Sequence, residues 1–257
     1  MGILNVTPDS FYAGSRLPDE ESILRQAEKF VQEGAFFLDI GGYSSRPGAE
    51  DVPLEEEMAR AIPAVEAVVR EFPEVYVSID TFRAPVAAAA VEAGAHLIND
   101  ISGGQLDPQM FATVARLQAP YILMHMRGTP QTMKSFTDYG NLLTEMGVYF
   151  SERVQQLLEL GVRDIVLDPG FGFAKTVQQN FELLRNFDYF LSTGHPVLAG
   201  VSRKSMVWRT LDVTAAEALN GTTVLNTMAL TQGASILRVH DVREAMETIT
   251  LVKQTIG

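Results

Sequence analysis

Eight short apolar segments recur along the chain, each ending on a polar or charged residue and each followed by a stretch with helical spacing. They are Ile3–Val6, Phe36–Ile40, Val75–Ile79, His96–Asn99, Tyr121–His125, Ile165–Leu167, Pro196–Val201 and Ser235–Val239. Helical periodicity is predicted over Asp19–Glu33, Leu54–Glu71, Ala84–Ala93, Asp107–Gln118, Tyr139–Leu160, Thr176–Asn186, Thr214–Gln232 and Val242–Thr255. Pro85 opens a helix where its missing N–H is not needed, and Gly94 closes it. Gly34 and Gly161 likewise follow helices and precede strands. Strict strand–helix alternation predicts a parallel sheet, and eight units predict a closed (β/α)8 TIM barrel of the α/β class. No linker or low-complexity stretch divides the chain, so residues 1–257 read as a single domain. Its first strand starts almost at residue 1, so the sequence reads as lacking an N-terminal segment that would cap the barrel floor.

The stretch Ile165 to Phe173 shows the design of one unit. Aliphatic residues run without alternation into Asp168, and the chain then breaks on Pro169, Gly170 and Gly172. Such a run reads as a strand buried on both faces, with a glycine-permissive loop beyond it that lets a ligand approach the backbone. Lys175 stands where a third glycine would complete a dinucleotide fingerprint, so that motif is absent. The other strand ends carry Asn5, Asp39, Asp80, Asn99 with Asp100, His125, Ser202 to Ser205, and Arg238 with His240. In this barrel class the site is built at those ends. Any one Asp or Asn there also reads as a helix cap or turn former.

Composition narrows the partners. The chain is 46% hydrophobic and 20% charged, which is globular. It has no apolar run long enough to span a membrane and no secretory signal pattern. Zero cysteines exclude disulfides and thiolate metal sites and allow a cytoplasmic location. A net charge of −12 argues against nucleic acid. Basic residues nevertheless collect in the strand-end loops (Arg46, Arg83, Arg127, Lys175, Arg203, Lys204 and Arg238), which predicts an anion at the mouth.

Several motifs, in order, resemble one family. Met1 to Phe11 (MGILNVTPDSF) and Asp39 to Ala49 (DIGGYSSRPGA) are similar to the two opening signatures of the dihydropteroate synthases. Ser78 to Thr81, Ile98 to Ile101, Asp168 to Phe173, Ser202 to Ser205 and Arg238 to Asp241 follow in that family's order, so the resemblance runs to about residue 250. It implies condensation of a dihydropterin pyrophosphate with p-aminobenzoate to give dihydropteroate and pyrophosphate, in folate synthesis. It also implies a homodimer, Mg²⁺ as cofactor, and sulfonamides as inhibitors of the family.

Carried over by position, the resemblance assigns the pterin to Asp80, Asn99, Asp168 and Lys204. The assignment suits the chemistry, because a pterin edge offers N–H donors to a carboxylate and a carbonyl to a donor. Pyrophosphate falls to Asn5, Arg46, Arg238 and His240, with Asn5 also the Mg²⁺ ligand. The p-aminobenzoate pocket falls to Ser45, Pro47, Phe173, Lys204 and Ser205. Lys204, Arg238, His240 and Arg46 are the implied catalytic groups, stabilising charge on the departing pyrophosphate. No nucleophile elbow, HExxH motif or cysteine offers another mechanism. Two departures stand out: Tyr43 replaces the family's usual Glu, and Ala13 replaces a first-loop carboxylate. Two other readings remain at this point. One is a methyltetrahydrofolate:corrinoid methyltransferase, which shares the pterin contacts but has no pyrophosphate to neutralise; the other is a catalytically silent pterin-binding barrel.

Overall fold

The computed structural model describes residues 1–7, 20–43 and 51–256. Among them eight strands lie in the predicted places: β1 (Gly2–Asn5), β2 (Phe37–Gly41), β3 (Tyr76–Asp80), β4 (Leu97–Asp100), β5 (Tyr121–Met124), β6 (Ile165–Asp168), β7 (Leu198–Ala199) and β8 (Ile236–Leu237). The first six pair in sequence order, every pair parallel, and β7 pairs with β8. Two seams close the ring. Val197 bridges Leu167 of β6, and Val239 bridges Gly2 of β1. At the second seam Ile3 N donates to Val239 O and Val239 N to Met1 O, both at 2.9 Å. The predicted (β/α)8 barrel is therefore formed, with its seventh and eighth strands shorter than the apolar segments that announce them.

Period-two alternation sorts the strand residues between two environments. Leu38, Ile40, Val77, Ile79, Ile98, Leu123, Ile165 and Leu167 pack outward into one cluster with the helices. Truncating one of the leucines or isoleucines among them to Ala would cost about 2–5 kcal/mol. Phe37, Leu97, Ile122, Val166, Leu198 and Ile236 form a separate cluster that fills the lumen floor together with Met1. Two positions further along, the inward residues turn polar (Asp39, Asn99, Asp168, Arg238), and the site begins there.

The helices are α1 (Glu20–Gln32), α2 (Leu54–Glu71), α3 (Ala84–Glu92), α4 (Met110–Leu117), α5 (Leu142–Glu159), α6 (Val177–Arg185), α7 (Ser205–Leu211), α8 (Leu219–Thr231) and α9 (Val242–Ile256). Thr176 and Gln179 form a reciprocal capping box at the start of α6, satisfying two otherwise orphan donors. Asp107 does not open α4 as its periodicity predicts. It forms the turn before the helix: its Oδ1 accepts from Gln109 N at 2.9 Å and its Oδ2 from Ala84 N at 2.7 Å, at the start of α3, and α4 begins at Met110. The helix predicted over 214–232 starts later, and α7 precedes it, ending at Asp212 in a left-handed conformation (φ 54°). None of the described helices is long and apolar enough to cross a membrane.

Candidate active site at the strand ends

The centre of the mouth is an ion-pair network shared by four strands. Asp39 on β2 has no solvent exposure, and its Oδ2 accepts from Arg238 Nε at 2.6 Å and from Asn99 Nδ2 at 2.9 Å. Arg238 Nη2 also donates to Asp80 Oδ2 at 2.6 Å. Arg238 thus ties β8 to β2 and β3, past β1. The Asp39 and Asp80 carboxylates drive its pKa well above the ordinary arginine value, against burial. Burial pushes Asp80 up to about 7, opposed by Arg238 and reinforced by Asp39 and Glu57. Asp39 Oδ1 is buried without a hydrogen-bond partner, an acceptor a ligand donor would satisfy. Asp100, next to Asn99, faces the other way. It accepts from Tyr121 OH, Ser102 N and Gly104 N, and so forms the turn that its sequence context allows.

Asp168, 5% exposed, forms the second half of the mouth. Its Oδ1 accepts from Gly170 N at 2.8 Å, and burial holds its carboxyl above the ordinary range against the pull of Lys204. The positive φ of Gly170 (69°) and Gly172 (81°) explains why glycine stands at both positions. A Cβ on Gly170 would lie 2.2 Å from His125 O. Lys204 crosses this turn: its Nζ donates to Phe171 O and lies 4.8 Å from the centre of the Phe173 ring. Burial lowers the Lys204 ammonium to about 8, with Asp168 pulling the other way. Asp168, Lys204 and Phe173 therefore gather around one turn, with Lys204 between the two subsites to which its position was assigned.

Between β7 and α7 the backbone of Arg203 is left-handed (φ 53°). Its guanidinium forks onto Asp241 at 2.8 and 2.9 Å and onto the Ala215 and Ala216 carbonyls. On either side of it, Ser202 Oγ meets His240 Nδ1 at 3.0 Å and Lys204 meets the β6 turn. Ser205 begins α7 directly after Lys204.

The predicted gathering of basic residues is corrected in part. Arg203 is committed to Asp241, Arg83 to Glu57 at 2.7 Å, and Arg127 to Glu145 and the Asp138 carbonyl. Lys175 is buried behind the β6 turn. Lys204 and Arg238 remain at the described mouth. Sequence shows that a residue is charged but not which distant residue neutralises it.

Asn5 ends β1 beside Gly41. A Cβ at Gly41 would come within 3.7 Å of both Asn5 Oδ1 and Asp80 Oδ2, so the glycine leaves room between these oxygens. Among the described residues no three His, Cys, Asp or Glu side chains form a metal-binding group. Ser45, Arg46, Pro47 and Ala13 lie outside the described residues. Tyr43, which takes the place of the expected carboxylate, is 7% exposed. Its hydroxyl donates to Asp51 Oδ1 at 3.1 Å and accepts from Gln131 Nε2 at 2.9 Å, while its ring packs edge-on against Phe82.

Two features were not assigned from the sequence. Asp39 was visible as a polar strand end, but the Asn99 and Arg238 bonds that make it the hub come from 60 and 199 residues away. The buried contact between His125 and Lys175 spans 50 residues and carries no local motif.

The family model described as pterin binding enzyme matches residues 1–240. The dihydropteroate synthase of Synechocystis is 48% identical over 98% of this chain and 88% of its own length. The crystal structure of the Yersinia pestis dihydropteroate synthase with a sulfonamide drug complex superposes with a TM-score of 0.94 at 39% identity, covering 99% of this chain and 92% of that one. The Xanthomonas albilineans dihydropteroate synthase with 4-aminobenzoic acid superposes with a TM-score of 0.92 at 36% identity, covering 99% and 91%. Matched along nearly its whole length in sequence and in fold, the chain belongs to the pterin-binding enzymes and, among them, to the dihydropteroate synthase family.

Proposed function

We propose that the barrel mouth condenses 6-hydroxymethyl-7,8-dihydropterin pyrophosphate with p-aminobenzoate, giving 7,8-dihydropteroate and pyrophosphate. One observation carries the reading: Asp80, Asn99 and Asp168 lie at the same end of three barrel strands, and Lys204 is seated on the Phe171 carbonyl beside the Phe173 ring, within electrostatic reach of Asp168. Buried carboxylates receive the exocyclic amine and ring N–H of the pterin, and Asn99 and Lys204 supply donors to its acceptors. With Asp168 holding the ring, the exocyclic carbon loses pyrophosphate and takes up positive charge, and the arylamine nitrogen attacks it and sheds a proton. Phe173 and Ser205 would flank the aminobenzoate, together with Ser45 and Pro47.

His240, Arg46 and Arg238 would hold the departing pyrophosphate, an electrostatic role that needs no nucleophile on the protein. Arg238 performs it while keeping Asp39 and Asp80 neutralised. The oxygen of Asn5 beside the Gly41 gap suits a hard cation that takes its other ligands from phosphate and water. Mg²⁺ bound there would neutralise charge on the leaving group. Leu191, Leu211, Val224 and Met228 are exposed on the 187–193 turn, α7 and α8, and we assign this apolar face to a second copy of the chain.

Purified protein, dihydropterin pyrophosphate, labelled p-aminobenzoate and Mg²⁺ should yield dihydropteroate. Pterin binding without turnover would instead favour the silent barrel.

A further inference from the structure

Behind the turn that follows Asp168 lies a lysine that the proposed reaction does not use. Lys175 is 8% exposed, and His125, just after β5, is 2% exposed. Lys175 Nζ lies 3.1 Å from Gly170 O, 3.0 Å from Phe173 O and 3.0 Å from His125 Nδ1. An ammonium has three N–H donors, and three acceptors surround it. His125 Nδ1 accepts only in the neutral tautomer protonated on Nε2. Burial and the nearby Lys175, Arg127 and Arg153 cations hold that imidazole well below its ordinary pKa, in keeping with this.

The ammonium is fully hydrogen-bonded, yet no described carboxylate lies within ion-pairing distance of it. Buried charges normally serve a partner. The connection runs through one residue: Gly170 donates its N–H to Asp168 Oδ1 at 2.8 Å and offers its carbonyl to Lys175. The cations facing Asp168 are Lys204 from the start of α7, Arg238 from β8 and Lys175 from the β6 loop, each favouring the ionised carboxylate. Those facing Lys175 are Lys204 and Arg127, and Asp168 is the anion among its surroundings. The same bonds reach both ends of the 170–173 turn, whose Phe171 carbonyl and Phe173 ring seat Lys204.

We propose that Lys175 is a positioning residue for this reaction: its ammonium, placed behind the turn, keeps Asp168 charged for the N–H donors of the pterin and holds the seat of Lys204. The inference rests on the assignment of Asp168 to the pterin. The competing role is a staple, which needs N–H donors but not charge. Burial lowers the Lys175 ammonium to about 7, so it is charged throughout the acidic range in which a carboxylate titrates.

Two variants separate the roles. Lys175→Gln keeps N–H donors without the charge, and Lys175→Met removes both. Affinity for 6-hydroxymethylpterin is measured by calorimetry from mildly acidic pH to neutrality, with thermal melts reporting the folded fraction. The Asp168→Asn profile identifies the part of the pH dependence that belongs to Asp168. With Lys175 charged, Asp168 stays ionised further into acid, so removing the charge moves the loss of binding to higher pH. At the pH where the wild type binds at half strength, both variants should bind roughly two- to five-fold more weakly. A Lys175→Gln profile that overlays the wild type would overturn the proposal, whatever its melting temperature. If Asp168→Asn binds the pterin as well as the wild type, the Asp168 assignment itself fails, a separate result.

Discussion

Arg238 Nε lies 2.6 Å from Asp39 Oδ2, so the last strand is joined to the second at the level of the site. Asp39 is fully buried, and Arg238 is the cation that makes its charge tolerable. Removing one member of such a pair leaves the other uncompensated. Asp39→Ala should therefore lower stability by about 3–5 kcal/mol in urea denaturation. A loss below about 1 kcal/mol, the scale of an exposed pair, would show that the network is not structural.

Stability should depend on pH through the same network. Burial raises Asp80 from 3.8 to about 7, so the folded state binds more protons than the unfolded state between these values. Stability then falls as pH rises through that window. Glu57, Asp100 and Asp168 are also pushed up by burial and act in the same sense. For Lys204, lowered from 10.5 to about 8, the unfolded state binds the extra proton, and stability rises with pH across that range. Asp80→Asn should flatten part of the acid-to-neutral decline. An unchanged slope would remove Asp80 as its cause.

Asp168→Asn keeps the shape of the side chain but replaces a charge-assisted acceptor. Such a bond is worth roughly 1.5–3 kcal/mol, so pterin affinity should fall on the order of ten- to a hundredfold with the fold intact. Calorimetry showing unchanged affinity would free Asp168 from this role.

His240 and Arg238 should differ on truncation, because Arg238 also neutralises Asp39 and Asp80. His240→Ala should weaken the pyrophosphate ester on the order of tenfold while sparing the unphosphorylated alcohol. Arg238→Ala should weaken both, since it releases carboxylates on the pterin side. Equal losses for the two ligands in His240→Ala would move the anion site elsewhere.

Tyr43→Phe deletes the hydroxyl that links Asp51 and Gln131. Both partners are exposed and regain water, so the expected loss is small, about 0.5–1.5 kcal/mol by thermal denaturation. A larger loss would mean that the phenol supports more than these two bonds.

What could be read from the sequence were features with local causes. The apolar run into Asp168 became β6 because alternate residues face the helix layer and the lumen, both dry. The helix predicted from Thr176 starts there, and Gly94 (φ 107°) carried the end of α3. α7 escaped notice because it has seven residues, and Met206 and Val207, its buried pair, give no period to detect. The mouth residues were legible as types. Their partnerships were not, because Arg203 finds Asp241 only after the chain has closed.

The seam between Val239 and the first strand also bears on synthesis. Met1 N donates to Leu237 O across 236 residues. A ribosome would have to release nearly the whole chain before the ring could shut or Arg238 could reach Asp39. Until then the half-built lumen would hold uncompensated buried carboxylates and an open sheet edge, the kind of surface chaperones recognise. The residue that joins the last strand to the site would thus also report that all eight strands are in place.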